Sequence, residues 1–407
     1  DYTFKTFLYY DGYIDSKGVL HGNIYIKGGG DPSLGTPRID TMQDMKYILA
    51  DWLKYIKKLG IKKIEGAIVG NASIFDDTIA PSSWNPLDLG MHYGAVASGL
   101  SFHENTFRVI LKPGKKWGDS ARIVEIDPPI PFMTINNKVT TGGIYTADDM
   151  WVGGKPYINS RIIKGVIPRD NKEYPVRASL PDPAFFCAYY LFKTLKDSGI
   201  VASDSCTTLK TLNEQGKYNK NKAITVFYTH KSLPLDTIVY FTNHKSINCW
   251  AEDIIKILAY EKTDTGSTLI GTRLVKQYYL AKGVNLKGFV MKDGSGLSPH
   301  NRVSPRNLAE IMRACLKDSI FNEFYNTLPI GGVSGTISSI FKGTVAENNL
   351  RAKSGYMRGI RSYTGYVCNK NNRLLTFGII VNNHTASSEK MKSMLEKIMV
   401  KIAETTF

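Results

Sequence analysis

The C-terminal third of the sequence is the part that most strongly constrains the fold. Successive segments there have apolar residues at helical spacing, and two strand-like segments and a last helical segment follow them. The predicted helices span residues 246–260, 267–282 and 304–317, the strands 361–368 and 373–381, and the last helix about 386–404. Helices that accompany an antiparallel sheet in one part of a chain indicate the α+β fold class.

The preceding part of the chain has a different pattern. Residues 1–28 alternate apolar and polar side chains around two turn signals, which predicts two antiparallel strands. Helices are predicted over 42–59 and 184–197, and short strands fill the segment from about 102 to 180. Because 407 residues are too many for one hydrophobic core, we expect two or three domains.

Two short motifs lie within the C-terminal third. The first, S-x-N, consists of Ser246 and Asn248 at the start of a predicted helix. The second, K-S-G, consists of Lys353, Ser354 and Gly355 just ahead of the closing strands. Together they match two of the three motifs of serine acyl-transferases that also carry a nucleophilic S-x-x-K.

The residue types suit acyl transfer. Such an enzyme needs a nucleophile, a base to activate it, a proton donor for the leaving amine, and groups that bind the amide and the carboxylate of the substrate. Ser246 can shuttle protons while the Asn248 amide holds the acyl chain. Lys353 supplies positive potential, and the Ser354 hydroxyl can donate a hydrogen bond to a terminal carboxylate.

The two residues after Ser354 complete the second motif. Gly355 lets the substrate backbone approach closely, and the backbone N–H of Tyr356 can act as an oxyanion donor. Each motif also has a purely structural alternative. Ser246 and Asn248 could form a helix N-cap, and the K-S-G segment could be a solvated turn before a strand.

The chain is strongly basic, with 52 Lys and Arg against 36 Asp and Glu and a net charge of +16. A basic surface favours polyanionic surroundings such as nucleic acid, anionic lipid or an acidic wall polymer. The sequence has neither a basic tail nor the aromatic pattern of RNA-binding domains, so the motifs argue against nucleic acid. No apolar run reaches the length of about 18 residues that suggests a transmembrane segment.

Several further segments carry a resemblance to a known family. They include FKTFLYYDG, GVLHGNIYIKGGGDPSLG, LGIKKIEGAIVGNASIF, DGSGLSPHNRVSP (293–305), LPIGGVSGTI (328–337) and AKSGYMRGIRSYTGYV (352–367). Over nearly its full length the chain resembles the penicillin-binding protein 4 type of D-alanyl-D-alanine carboxypeptidase/endopeptidase, the S13 family of serine peptidases.

The resemblance implies a penicillin-recognising transpeptidase/β-lactamase-like domain with a long, mostly β inserted region between its first and second motifs. Residues 1–27 would begin that domain, 28–225 would form the insertion as two subdomains, and 226–407 would complete the domain. The second motif falls on Ser246 and Asn248. The third falls on Lys353-Ser354-Gly355, with Ser in place of the more usual Thr, so a hydroxyl is retained.

This chain differs from the family at the first motif, the nucleophilic S-x-x-K. The resemblance places the nucleophilic Ser and its Lys on a helix upstream of residue 1, and we expect the catalytic serine there. Two S-x-x-K strings occur inside the chain, Ser339 to Lys342 and Ser387 to Lys390. The first lies ahead of the third motif and the second begins the last helix, so neither has the structural context that the motif needs.

The activity that the resemblance implies is that of a serine D-Ala-D-Ala carboxypeptidase, with endopeptidase activity on cross-links left open. The expected partners are peptidoglycan stem peptides and β-lactam antibiotics, in a periplasmic or secreted setting. Neither a metal nor an organic cofactor is implied. The alternative is a catalytically inactive, peptidoglycan-binding homologue that lacks the nucleophile.

Overall fold

The computed structural model describes residues 2–39, 43–146 and 149–406. Contacts divide the chain into two compact units. The amino-terminal unit consists of Thr3–Leu233 and Glu252–Ser267, and the carboxy-terminal unit of Asp1–Tyr2, Pro234–Ala251 and Thr268–Phe407. Among the described residues, no helix combines the length and the apolar character needed to cross a lipid bilayer.

The amino-terminal unit is mostly β. Its strands are β1 (Thr3–Asp11), β2 (Tyr13–Ile14), β3 (Val19–His21), β4 (Ile24–Lys27), β5 (Lys63–Ile64), β6 (Ile68–Asn71), β7 (Thr106–Lys112), β8 (Arg122–Asp127), β9 (Thr134–Thr141), β10 (Trp151–Gly153), β11 (Ser160–Ile167), β12 (Tyr174–Ser179), β13 (Val201–Ala202), β14 (Cys206–Thr208) and β15 (Ile224–Pro234). Its α-helices are α1 (Met45–Lys58), α2 (Pro183–Asp197) and α3 (Leu209–Glu214), together with residues 252–263 of a fifth helix.

These strands form four sheets. The strand order is β14-β6-β4-β1-β15 in the largest, β13-β5-β3-β2 in the second, and β10-β11-β9 and β12-β7-β8 in the two others. Helices α1 and α2 bury their apolar sides in one continuous core with these sheets, in which Trp52, Phe102 and Phe186 are each fully buried. Burial of such aromatic side chains dominates the stability of a core of this kind.

Local chemistry explains where the two long helices of this unit begin. The Asp44 carboxylate accepts the Tyr47 N–H and caps α1, and the Asp182 carboxylate accepts the Phe185 N–H and caps α2, with Pro183 at the first helical position. Helix α2 begins within one residue of the predicted 184–197. Of the predicted helix 42–59, Met42 lies outside the described residues.

The carboxy-terminal unit carries the remaining elements. They are α4 (Leu235–Lys245), the first four residues of α5 (Asn248–Thr263), α6 (Thr268–Ala281), α7 (Pro305–Cys315), α8 (Phe321–Asn326), β16 (Arg351–Met357), β17 (Ile360–Cys368), β18 (Leu374–Val381) and α9 (Ser388–Ala403). The three strands form one antiparallel sheet in the order β16-β17-β18. Its core includes Ala352, Tyr363 and Phe377 from the sheet and Leu395 and Met399 from α9.

The α+β fold class is therefore confirmed, with two corrections to the predicted elements. Residues 3–27 form four strands, β1 to β4, rather than two, and the chain turns at Gly12 between β1 and β2 and at Gly18 between β2 and β3, each with a φ of 80°. The C-terminal sheet has a third strand, β16, which the sequence pattern missed. The insertion boundaries at 28 and 225 stay predictions, and residues 3–27 lie in the same compact unit as the expected insertion.

Candidate active site

The first motif lies at the junction of two helices. Ser246 follows the last residue of α4 and adopts the left-handed conformation, with φ 54° and ψ 55°. Its backbone N–H bonds to the Thr242 carbonyl, so Ser246 is the C-cap of α4. The N-cap alternative is thus wrong for Ser246. Its side chain is exposed, and Asn248, two residues further on, begins α5.

The second motif lies in a strand rather than in a turn. Lys353, Ser354 and Gly355 are in β16, the terminal strand of the sheet, and pair with residues of β17. Ser354 lies opposite Tyr363, which is 1% exposed and belongs to the core of the unit. The solvated-turn alternative is therefore wrong, because the strand is held in register by a buried neighbour.

Tertiary structure brings the two motifs together. The Lys353 Nζ donates to the Ser246 Oγ at 2.8 Å and to the Ser354 carbonyl oxygen at 2.7 Å. Burial lowers the pKa of Lys353 to about 8. An ammonium group with a pKa this close to neutrality exchanges its proton readily, so the pair can move a proton as well as attract an anion.

Ser354 has a partner that the sequence analysis did not identify. Its hydroxyl donates to the Thr336 Oγ1 at 2.8 Å. Thr336 lies in a short 3-10 helix, Gly335–Ile337, and the next side chain, Ile337, is fully buried in the core of the unit. Thr336 falls within the LPIGGVSGTI segment, whose similarity to the family was the only signal that could have indicated it.

Gly355 and Tyr356 complete the strand. A Cβ atom at Gly355 would lie 2.4 Å from the Ser362 Oγ, so the Ser362 hydroxyl occupies the space that a side chain at position 355 would need. Tyr356 is 62% exposed, and the Arg361 guanidinium lies 5.0 Å from the centre of its ring. Because β16 is the terminal strand, no other strand of the described residues pairs with Gly355 and Tyr356 on the side away from β17.

The DGSGLS segment forms a loop that folds around a buried carboxylate. Asp293 is 1% exposed and accepts hydrogen bonds from the backbone of Gly296 and Ser298 and from the Asn301 amide. These bonds, at 2.6 to 3.0 Å, fold the loop around one carboxylate. Asp293 therefore has a structural role, because it holds the backbone of this loop in place.

Neither internal S-x-x-K string has the form of a nucleophile and its base. Ser387 caps α9, because its hydroxyl accepts the Lys390 backbone N–H at 3.2 Å. Ser339 is exposed in a turn after the 3-10 helix. Both serines thus lie in ordinary local structure, as their positions relative to the two motifs had suggested.

The fold and these motifs were compared with known proteins. The model of the D-Ala-D-Ala carboxypeptidase 3 (S13) family matches residues 1–405. D-alanyl-D-alanine carboxypeptidase DacB of Haemophilus influenzae is 26% identical over 406 residues, which cover 96% of this chain and 78% of the relative. A D-alanyl-D-alanine carboxypeptidase of an Actinomadura species is 24% identical over 393 residues, which cover 94% of this chain and 69% of that relative.

The crystal structure of penicillin binding protein 4 (dacB) from H. influenzae has a TM-score of 0.83 with 23% identity, covering 99% of this chain and 87% of that chain. The same H. influenzae protein complexed with a β-lactam has a TM-score of 0.77. The fold is thus that of the penicillin-recognising serine enzymes, and the two motifs occupy one site within it. The chain belongs to the D-Ala-D-Ala carboxypeptidase 3 (S13) family.

Proposed function

We propose that this protein is a serine D-Ala-D-Ala carboxypeptidase that removes the terminal D-Ala of peptidoglycan stem peptides through an acyl-enzyme. The observation that carries the proposal is the 2.8 Å hydrogen bond between Lys353 and Ser246, which joins the two family motifs in one site. The family membership and the carboxypeptidase names of the relatives support it.

The proposed reaction has two steps. In the first, a serine hydroxyl attacks the carbonyl carbon of the penultimate D-Ala, an ester forms, the peptide bond breaks and the leaving amine takes up a proton. In the second, water hydrolyses the ester and regenerates the hydroxyl. The nucleophile in this proposal is the serine of an S-x-x-K motif that precedes Asp1.

Ser246 and Lys353 would move the proton that the leaving amine needs. A hydroxyl both donates and accepts, so Ser246 can pass a proton to the amine while it receives one from the Lys353 ammonium. Burial lowers the pKa of Lys353 to about 8, which reduces the cost of that transfer near neutral pH. Asn248, two residues beyond Ser246, would hold the acyl chain through its side-chain amide.

The strand β16 would hold the other end of the substrate. The charge of Lys353 and the hydroxyl of Ser354 would bind the terminal carboxylate of the stem peptide. The missing side chain at Gly355 would let the substrate backbone lie along the strand, and the Tyr356 N–H would donate to the developing oxyanion. A β-lactam has an acyl group and a carboxylate in a similar arrangement, so we expect it to acylate the same serine.

The proposed setting is extracytoplasmic, either periplasmic or secreted, because the stem peptides of the wall lie there. The net charge of +16 is suited to association with an anionic wall polymer. Cleavage of cross-links, which have the same D-Ala carbonyl with a different leaving amine, would be a second activity of the same site.

The test is the intact mass of the full-length protein before and after incubation with benzylpenicillin. We expect a stoichiometric adduct that peptide digestion maps to a serine upstream of Asp1, and release of D-Ala from a pentapeptide substrate. An adduct on Ser339 or Ser387 would show that the site is misplaced. A folded full-length protein that forms no adduct and releases no D-Ala would instead support an inactive, wall-binding homologue.

A further inference from the structure

A buried histidine lies beside the site and takes no part in the chemistry proposed above. His244 is in the last turn of α4, two residues before Ser246, and is 5% exposed. Its ring stacks on the Tyr240 ring with centroids 3.8 Å apart, and its Nδ1 lies 3.0 Å from the Tyr240 carbonyl oxygen. Because a carbonyl oxygen only accepts, Nδ1 carries a proton.

The other ring nitrogen of His244 contacts a hydroxyl. Nε2 lies 3.1 Å from the Ser334 Oγ, which itself accepts the Ile330 backbone N–H at 3.1 Å. In the neutral ring Nε2 is an acceptor, so the Ser334 hydroxyl donates its single proton to His244. With this tautomer, the Ser334 Oγ accepts from the Ile330 N–H and donates to His244.

The surroundings keep the ring neutral. Burial lowers the pKa of His244, and the charges of Lys245 and Arg351 lower it further. The backbone carbonyls of Tyr240 and Thr327 act in the opposite direction without reversing the shift. At neutral pH the imidazole is therefore in the form in which Nε2 accepts from Ser334.

The loop that follows Ser334 is packed directly on this ring. Gly335 has a φ of 63°, and a Cβ atom there would lie 2.8 Å from the Pro329 Cβ and 3.1 Å from the His244 Cδ2. A side chain at position 335 would push the loop away from His244. The hydrogen bond from Ser334 and the absent side chain at Gly335 thus hold the same loop against α4.

The next residue of that loop is Thr336, the partner of Ser354. The Ser354 hydroxyl donates to the Thr336 Oγ1 at 2.8 Å. When a carboxylate binds, the Ser354 proton must turn towards it, and the Ser354 Oγ is then free to accept from the Thr336 hydroxyl. A Thr336 held at hydrogen-bonding distance therefore stabilises Ser354 in its carboxylate-binding orientation.

We propose that His244 and Ser334 are positioning residues that hold Thr336 against Ser354 and so set the affinity of the site for the terminal carboxylate of the substrate. This inference rests on the proposed function and goes beyond it, because neither residue belongs to the S-x-N or the K-S-G motif. His244 acts through Ser334 and Thr336 and does not touch the substrate.

The experiment measures kcat and KM for release of D-Ala from a pentapeptide by the full-length protein. The variants are His244→Phe and Ser334→Ala, with His244→Gln as the matched control, since a Gln oxygen can accept from Ser334. We expect the first two to raise KM about threefold to tenfold, the effect of one neutral hydrogen bond, while kcat changes less than about twofold. His244→Gln should retain most of the wild-type KM.

A double-mutant cycle separates positioning from general loss of structure. In a Thr336→Val background the effect of His244→Phe on KM should disappear, because the hydroxyl that it positions is gone. If His244→Phe raises KM by the same factor with and without Thr336→Val, the inference is wrong. It is also wrong if His244→Phe and Ser334→Ala both have the wild-type KM. If His244→Phe does not fold, Ser334→Ala can replace it in the same double-mutant cycle. This change is smaller, because it removes only the hydroxyl oxygen.

The two proposals fail in different ways. A folded wild-type protein that neither releases D-Ala nor reacts with benzylpenicillin would refute the proposed function before any variant is made. A wild-type protein that is active, with variants that leave KM unchanged, would refute the positioning role alone.

Discussion

The Lys353 ammonium donates a hydrogen bond to the Ser246 hydroxyl at 2.8 Å, although 107 positions separate the two residues in the chain. Ser246 reaches this place because the chain turns into the left-handed conformation at the end of α4. Lys353 reaches it because β16 pairs with β17 in a defined register. A shift of one residue in that register would turn Lys353 to the other face of the sheet.

Replacing Lys353 with Met should abolish most of the reaction without destabilising the fold. The variant loses both the charge and the proton that Ser246 receives, so we expect acylation by benzylpenicillin to slow by about 100-fold or more. The charged form of a half-buried lysine is costly, so the melting temperature should be equal to or above that of the wild type. A variant with unchanged acylation kinetics would contradict the role given to Lys353.

The pH dependence follows from the same residue. Burial lowers the pKa of Lys353 to about 8 from 10.5, so the charge that attracts the carboxylate is present below about pH 8 and is lost above it. We expect kcat/KM for a carboxylate-bearing peptide to fall as pH rises through about 8. In a Lys353→Arg control the positive charge persists above pH 8. Any residual kcat/KM of this variant should therefore not fall near pH 8.

The effect of Lys353 on the stability of the fold changes with pH in the opposite direction to its effect on activity. Below about pH 8 both the folded and the unfolded chain carry the proton on Lys353, and the folded state has the full cost of the buried charge. Between about 8 and 10.5 the folded state loses that proton first, so this cost is relieved as pH rises. The difference in unfolding free energy between wild type and Lys353→Met should therefore narrow over this window, which chemical denaturation can measure.

Gly355→Ala should impair both folding and activity, for separable reasons. The added Cβ would lie 2.4 Å from the Ser362 Oγ, and the Ser362 side chain must turn out of its present position to relieve the contact. In the double variant Gly355→Ala with Ser362→Ala, the melting temperature should recover towards that of Ser362→Ala. The kcat/KM should stay low, because the new methyl group also meets the substrate backbone. Recovery of both quantities would show that Gly355 serves packing alone.

Ser387→Ala tests the second internal S-x-x-K string. Since Ser387 caps α9, its loss should lower the free energy of unfolding by about 1 kcal/mol, and the β-lactam adduct should form as before. Ser339→Ala is the matched control, because Ser339 is exposed in a turn and its change should leave both quantities nearly unaltered. Disappearance of the adduct in either variant would place the nucleophile within this chain.

Local pattern was sufficient for the long elements of the carboxy-terminal unit. Helices α6, α7 and α9 and strands β17 and β18 each lie within about two residues of the positions that apolar periodicity predicts. Such periodicity reports which side of an element is buried. Strand β16 lacked this signal, because among its seven residues, RAKSGYM, only Ala352 is fully buried.

The identities of the motif residues were likewise readable from the sequence, but their local conformation was not. A Ser and an Asn before an apolar run resemble an N-cap, and only the presence of α4 immediately before Ser246 makes that serine a C-cap. The same residues are compatible with an N-cap and with a C-cap, because the distinction depends on the conformation of the residues upstream.

The sequence by itself determined the fold class, the family and the residues of the two motifs, since these depend on local periodicity and on segments of recognisable similarity. Tertiary structure alone decided that Lys353 meets Ser246, that Thr336 meets Ser354 across 18 positions, and that His244 meets Ser334 across 90. Contacts of this kind depend on how helices and strands pack and on strand register, and no local pattern of residues encodes them.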